Sequence, residues 1–140
     1  MRRYLIVAHL TLDSPQLMEA IRDRSALGPA MFHLIVPLHH GAGFVWSEGQ
    51  VEDEAARAME DARLRLTQLG YAVTGEVGDA SPVSSVGMVL RREGADRYDE
   101  IIVSTLPTKV SRWLGMDAPA RIQRKTNVPV TQVTAEMAHH

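Results

Sequence analysis

The sequence predicts an α/β fold in which a doubly wound, five-stranded parallel sheet lies between two helical layers, a three-layer α/β/α sandwich. Three observations carry this. Apolar runs of strand length alternate with helix-period segments along the whole chain, in the order β-α-β-α-β-α-β-α-β. Such alternation implies parallel strands joined by right-handed crossovers, with helices on both faces. Apolar residues make up 45% of the chain and aromatics only 5%, so the core is aliphatic, as in sheets buried on both sides. Finally, 140 residues suffice for one domain with a substantial core. Residues 1–135 read as that domain and 136–140 as a polar C-terminal tail.

Tyr4 to Ala8 is the first apolar run, and the strand is expected to reach His9. "MRRYLIVAHL" resembles a signal peptide for a few residues, but "TLDSPQ" follows without a small-residue cleavage pattern, so it reads as a strand. The first helix has two candidate starts: Asp13 as cap with Gln16 three residues on, or Ser14 with Pro15 at the first helical position. Leu17, Met18 and Ile21 form its apolar stripe, and Gly28-Pro29 stops it. Met31 to Val36 is the second strand, ended by Pro37, and His33 within it reads as structural.

"LHHGAGFVWSEGQ" is the longest irregular stretch, and its Phe44 and Trp46 suggest a partner surface or a lid. Val51 to Leu69 is the clearest helix, with Ala55, Ala58, Met59, Ala62, Leu66 and Leu69 at helical spacing. Its charges, including the i,i+4 pairs Asp53–Arg57 and Asp61–Arg65, read as a solvated face. Tyr71 to Val77 alternates as a third strand, and Ser81-Pro82 opens a helix whose inward face is Val83, Val86, Val89 and Leu90. Glu100 to Val103 is the fourth strand. A fourth helix is expected over roughly Lys109 to Lys125, with Val110, Trp113, Leu114 and Ile122 apolar, before a last strand from Pro129 to Thr134.

A net charge of −2 and a pI near 6.3 provide no global attraction to nucleic acid or to anionic membranes, and neither is expected as a partner. No run approaches the ~18 apolar residues of a membrane span. The absence of cysteine excludes disulfides and thiolate chemistry and fits a reducing cytoplasm, the expected location. In a doubly wound sheet ligands sit at the C-terminal ends of the strands. That geometry selects His9, Thr11, Asp13, Pro37, Gly78, Asp79, Ser104, Thr105, Thr108 and Lys109 as the candidate anion or nucleotide crevice.

Within "STLPTK", the hydroxyls, one ammonium and the amides of a helix start can hold an anion, or can simply cap and be solvated. Asp79 and Asp13 divide the same way between turn or cap residues and ligand contacts. Adjacent histidines on an extended segment point in opposite directions, so His39-His40 predicts no metal site. No nucleophile elbow, GxxxxGK[ST] loop or carboxylate pair is present, and no catalytic residue is assigned.

Over residues 3–134 the chain resembles the universal stress protein family. The resemblance rests on the order and length of the elements, on "VGDASPVSSV" (77–86), and on "YDEIIVSTLPTKVSRWLGMDAPARIQRKTNVPVTQV" (98–133). It implies the Rossmann-like, adenine nucleotide alpha hydrolase-like fold and a non-catalytic role in stress response. Nucleotide-binding members carry G-x2-G-x9-G-[ST] after the fourth strand. Here Ser104 and Pro107 stand at the first two glycine places, Gly115 at the third in a loop two residues shorter, and Met116 at the hydroxyl place. Proline has no N–H to donate, and side chains at 104 and 107 hold the backbone away from an anion. The resemblance therefore implies weak or lost ATP binding; the alternative is a binder of ATP or AMP that uses Ser104, Thr105, Thr108 and Lys109 instead. It also implies a homodimer through the last strand, at Pro129, Val130, Gln132 and Val133.

Overall fold

The computed structural model describes residues 1–38, 48–107, 113 and 117–136. Five strands form one sheet: β1 (Arg2–Val7), β2 (Ala30–Val36), β3 (Ala72–Val77), β4 (Glu100–Thr105) and β5 (Val130–Thr134). Their spatial order is β3-β2-β1-β4-β5, and every pairing is parallel. Between them run the helices α1 (Pro15–Ser25), α2 (Glu48–Gln68), α3 (Pro82–Glu93) and α4 (Ala118–Gln123), with a 3-10 turn at Ala95–Arg97. The predicted doubly wound architecture is present.

Strand alternation divides the core into two layers. From β1, Tyr4 and Ile6 enter the layer covered by α1 and α2, together with Leu17, Ile21, Phe32, Leu34, Ala62, Leu66 and Ile102. Leu5 and Val7 enter the other, with Ile35, Val83, Val86, Val89, Ile101, Val103 and Ile122 under α3 and α4. Phe32 stacks on Tyr4 at 5.2 Å and meets Tyr71 edge-on at 6.2 Å, an aromatic group within an otherwise aliphatic core. Trp113 packs against the second layer.

Local chemistry fixes the helix starts. Ser14, not Asp13, caps α1: its side chain accepts from Leu17 N–H at 3.1 Å, and Pro15 follows in the first turn. Ser81 caps α3 in a reciprocal capping box with Ser84. Several predicted boundaries move. β1 ends at Val7 rather than His9, because residues 9–13 form turns. Helix α2 begins at Glu48, a polar turn that apolar periodicity cannot register, and ends before Leu69, which is exposed. Strand β4 runs on to Thr105 because Ser104 and Thr105 remain in register with Val133 and Thr134.

The expected helix from Lys109 to Lys125 is not continuous: Trp113 is helical, residues 109–112 and 114–116 lie outside the described residues, and the chain breaks at Asp117. Asp117 has φ 55, a left-handed conformation no helix accommodates, and α4 starts afresh behind it with Pro119 in its first turn.

At the N-terminal edge of the sheet, Arg24 at the end of α1 makes a two-pronged pair with Glu100 of β4 (2.9 and 2.8 Å). Thr131 of β5 donates to the same carboxylate. Burial, the largest influence on Glu100, favours its neutral form. The hydrogen bonds and charge of Arg24, with the Thr131 hydroxyl, outweigh it and hold the carboxyl below the usual glutamate range. A depressed carboxyl contributes stability that is present above the unfolded-state value and is lost as pH falls through the folded one. Glu100→Gln should therefore cost about 2 kcal/mol near neutrality, since it leaves a half-buried guanidinium without its partner. Chemical denaturation of both proteins should show the gap closing below about pH 4; a gap independent of pH would contradict this account of the pair.

Candidate functional site

From β1 the chain winds outward through β2 to β3, then returns past β1 to lay down β4 and β5. The C-terminal ends of β1 and β4 are thus neighbours whose following segments leave in different directions. That divergence is the switch-point crevice of a doubly wound sheet. His9, Thr11, Pro37, Gly78, Asp79, Ser104 and Thr105 all lie at this edge of the sheet, immediately after or at the ends of their strands. Asp13 is exposed in the turn before α1. Thr108, Lys109 and Gly115, together with Phe44, Trp46 and His39-His40, lie outside the described residues.

Between β1 and β4 the hydroxyls satisfy one another. Thr11 Oγ1 lies 2.5 Å from Ser104 Oγ and 3.2 Å from the Ser104 carbonyl oxygen. With Thr11 donating to the carbonyl, Ser104 donates to Thr11. Both residues are buried, at 3% and 1% exposure, so this is an interior bond between the ends of two strands. Thr11 is placed by turns: Leu12 N–H donates to the His9 carbonyl, and Ser14 N–H to that of Thr11. Thr105, one residue on, is equally buried, and its Oγ1 has no hydrogen-bond partner among the described residues.

Helix α2 closes over the turn after β1. Glu54 reaches buried His9, its two carboxylate oxygens 3.0 and 2.8 Å from Nε2. Arg65 donates to the Leu12 carbonyl at 3.0 Å. Charges read from the sequence as a solvated face therefore include two that clamp the crevice wall. The helical period places Glu54 and Arg65 beside the inward stripe, a signal that was available but indistinguishable from ordinary flanking charge.

The β2–β3 side is built differently. Gly78 N–H donates to the Val36 carbonyl, and a Cβ at Gly78 would lie 2.4 Å from Ser85 Oγ and 3.0 Å from Ile35. Glycine is needed there so that α3 can approach the sheet. Asp79 N–H donates to Ser85 Oγ, its carboxylate accepts from Ala80 N–H at 2.8 Å, and its carbonyl accepts from Leu38 N–H. These are the bonds of a turn residue.

No protein-family model and no curated protein sequence matches the chain. Solved structures do. A universal stress protein family member from Burkholderia pseudomallei aligns over 94% of both chains with 16% identity and a TM-score of 0.55. One from Arabidopsis thaliana, solved with AMP bound, covers 97% of this chain and 93% of its own, at 12% identity and a TM-score of 0.62. A universal stress protein in complex with cAMP covers 96% and 98%, at 12% identity and 0.56. The chain thus has the universal stress protein fold over nearly its full length. Among the described residues, no helix is long and apolar enough to cross a membrane.

Proposed function

We propose that this is a non-catalytic, universal-stress-protein-like protein of the stress response, working in the cytoplasm, whose adenine-nucleotide crevice binds ATP weakly or not at all. The observation that carries this reading is the buried Thr11–Ser104 bond. A phosphate-binding turn presents backbone N–H groups over side chains too small to obstruct them. Here the first such position holds a hydroxyl already committed to the protein interior, and three residues later Pro107 has no N–H to donate. A ligand at this point must break a satisfied buried pair before gaining any contact of its own.

One observation favours the alternative, an ATP- or AMP-binding protein using the same crevice. Thr105 Oγ1 is buried without a partner among the described residues, and a buried hydroxyl in that state gains from any ligand atom that reaches it. Two proteins of the same fold are described with AMP and with cAMP, which supports asking the question of nucleotides first.

Calorimetry with ATP and AMP, with and without magnesium, decides between the readings. Weak or lost binding gives no saturable isotherm below about 1 mM, a free energy of only ~4 kcal/mol. A micromolar isotherm abolished by Lys109→Ala would establish the alternative.

The proposal extends to assembly. Strand β5 is an edge of the sheet, with Val130 and Val133 half-buried and Gln132 exposed. An edge strand leaves a row of unpaired backbone groups that a second copy can cover. Light scattering at tens of micromolar should yield the mass of a dimer; a monomer mass would refute pairing through Pro129, Val130, Gln132 and Val133.

A further inference from the structure

Away from the crevice, on the α3 face of the sheet, three side chains of types that bind transition metals converge from three elements. His33 stands on β2, Glu76 on β3 and Glu93 in the last turn of α3. One ligand atom from each lies within 4.8 Å of the other two. A groove lined in part by His33, Thr74, Glu93 and Tyr98 runs alongside them.

We propose that His33, Glu76 and Glu93 form a binding site for one zinc ion, which displaces Arg92 from between the two carboxylates. The imidazole is already oriented for this. Its Nδ1 lies 2.6 Å from Thr74 Oγ1, which leaves Nε2 facing Glu76 Oε2 at 2.6 Å. Holding one ring nitrogen with an outer hydrogen bond is how proteins aim the other at a metal. Glu93 has the matching support, for the Tyr98 hydroxyl donates to its Oε2 at 2.9 Å.

Arg92 marks the point at which positive charge is wanted. Its guanidinium makes a two-pronged pair with Glu76, and Nη2 lies 3.2 Å from Glu93 Oε2. The Arg92 side chain is half exposed, and ion pairs so open to water are weak and replaceable. One imidazole and two carboxylates suit zinc, with water from the groove completing four-fold coordination. Tetrahedral zinc holds its ligand atoms about 3.3 Å apart, so the Glu76 oxygen, now 2.6 Å from Nε2, must draw back by about 0.7 Å, and Glu93, within 4.8 Å of both, closes in by at most about 1.5 Å. Both glutamates have flexible stems, and Glu93 stands at a helix end, so the carboxylates can make these movements while the two strands hold the backbone at His33 and Glu76.

Titration calorimetry of the full chain with Zn²⁺ tests the site. The expected result is one ion per chain at micromolar Kd, weakened about tenfold or more in His33→Ala and in Glu93→Gln. Arg92→Ala should tighten binding by removing the competing cation, a response that a chance surface carboxylate pair would not couple to His33. His39→Ala with His40→Ala should leave the affinity unchanged. Melts without metal establish that each variant is folded, and Glu93→Gln, an isosteric change at a helix end, keeps the test valid if His33→Ala is not. The proposal is overturned by no saturable binding below about 1 mM, by micromolar binding that survives both ligand substitutions, by weaker binding in Arg92→Ala, or by loss in the His39/His40 variant alone.

Discussion

The ends of β1 and β4 lie side by side where the winding order reverses, and the polar groups there must be satisfied once they are buried. In this chain the Thr11 and Ser104 hydroxyls satisfy one another there, while Thr105 Oγ1 has no partner among the described residues. Much of this edge of the sheet depends on the Thr11–Ser104 bond. The bond anchors the turn after β1, which in turn presents His9 to Glu54 and the Leu12 carbonyl to Arg65. Helix α2 is thereby tied to the same wall that its apolar face covers. The edge where the winding order reverses is here part of the protein's own hydrogen-bonding interior.

Most of the architecture was legible in the sequence because burial on both faces leaves a strong mark. Runs such as Leu5-Ile6-Val7 and Leu34-Ile35-Val36 are apolar at every position only when a strand has a helical layer on each side. Caps were legible too, since Ser14-Pro15 and Ser81-Pro82 combine a side-chain acceptor with a preset φ. The fourth helix failed for a physical reason. Apolar spacing from Val110 to Ile122 suggested continuity, while the break depends on the backbone angle of Asp117, which no periodicity encodes. Pro119 was the available warning.

The candidate site was legible as a location and only partly as chemistry. Topology alone brings seven of the ten candidates to one edge of the sheet. That Ser104 turns inward to Thr11 could not be read from either residue, because the partners are 93 positions apart and depend on tertiary register. The same holds for His33, whose neighbours Thr74 and Glu76 come from the adjacent strand. Polar clusters assembled across strands leave no local pattern, whereas caps and apolar runs do.

The central claim is that the Thr11 and Ser104 hydroxyls are energetically coupled to one another. A double-mutant cycle with Thr11→Val and Ser104→Ala, followed by urea denaturation without nucleotide, measures that coupling directly. The account predicts a favourable interaction energy of about 1 kcal/mol, the net worth of a buried neutral hydrogen bond. Additivity of the two substitutions within about 0.3 kcal/mol would contradict it.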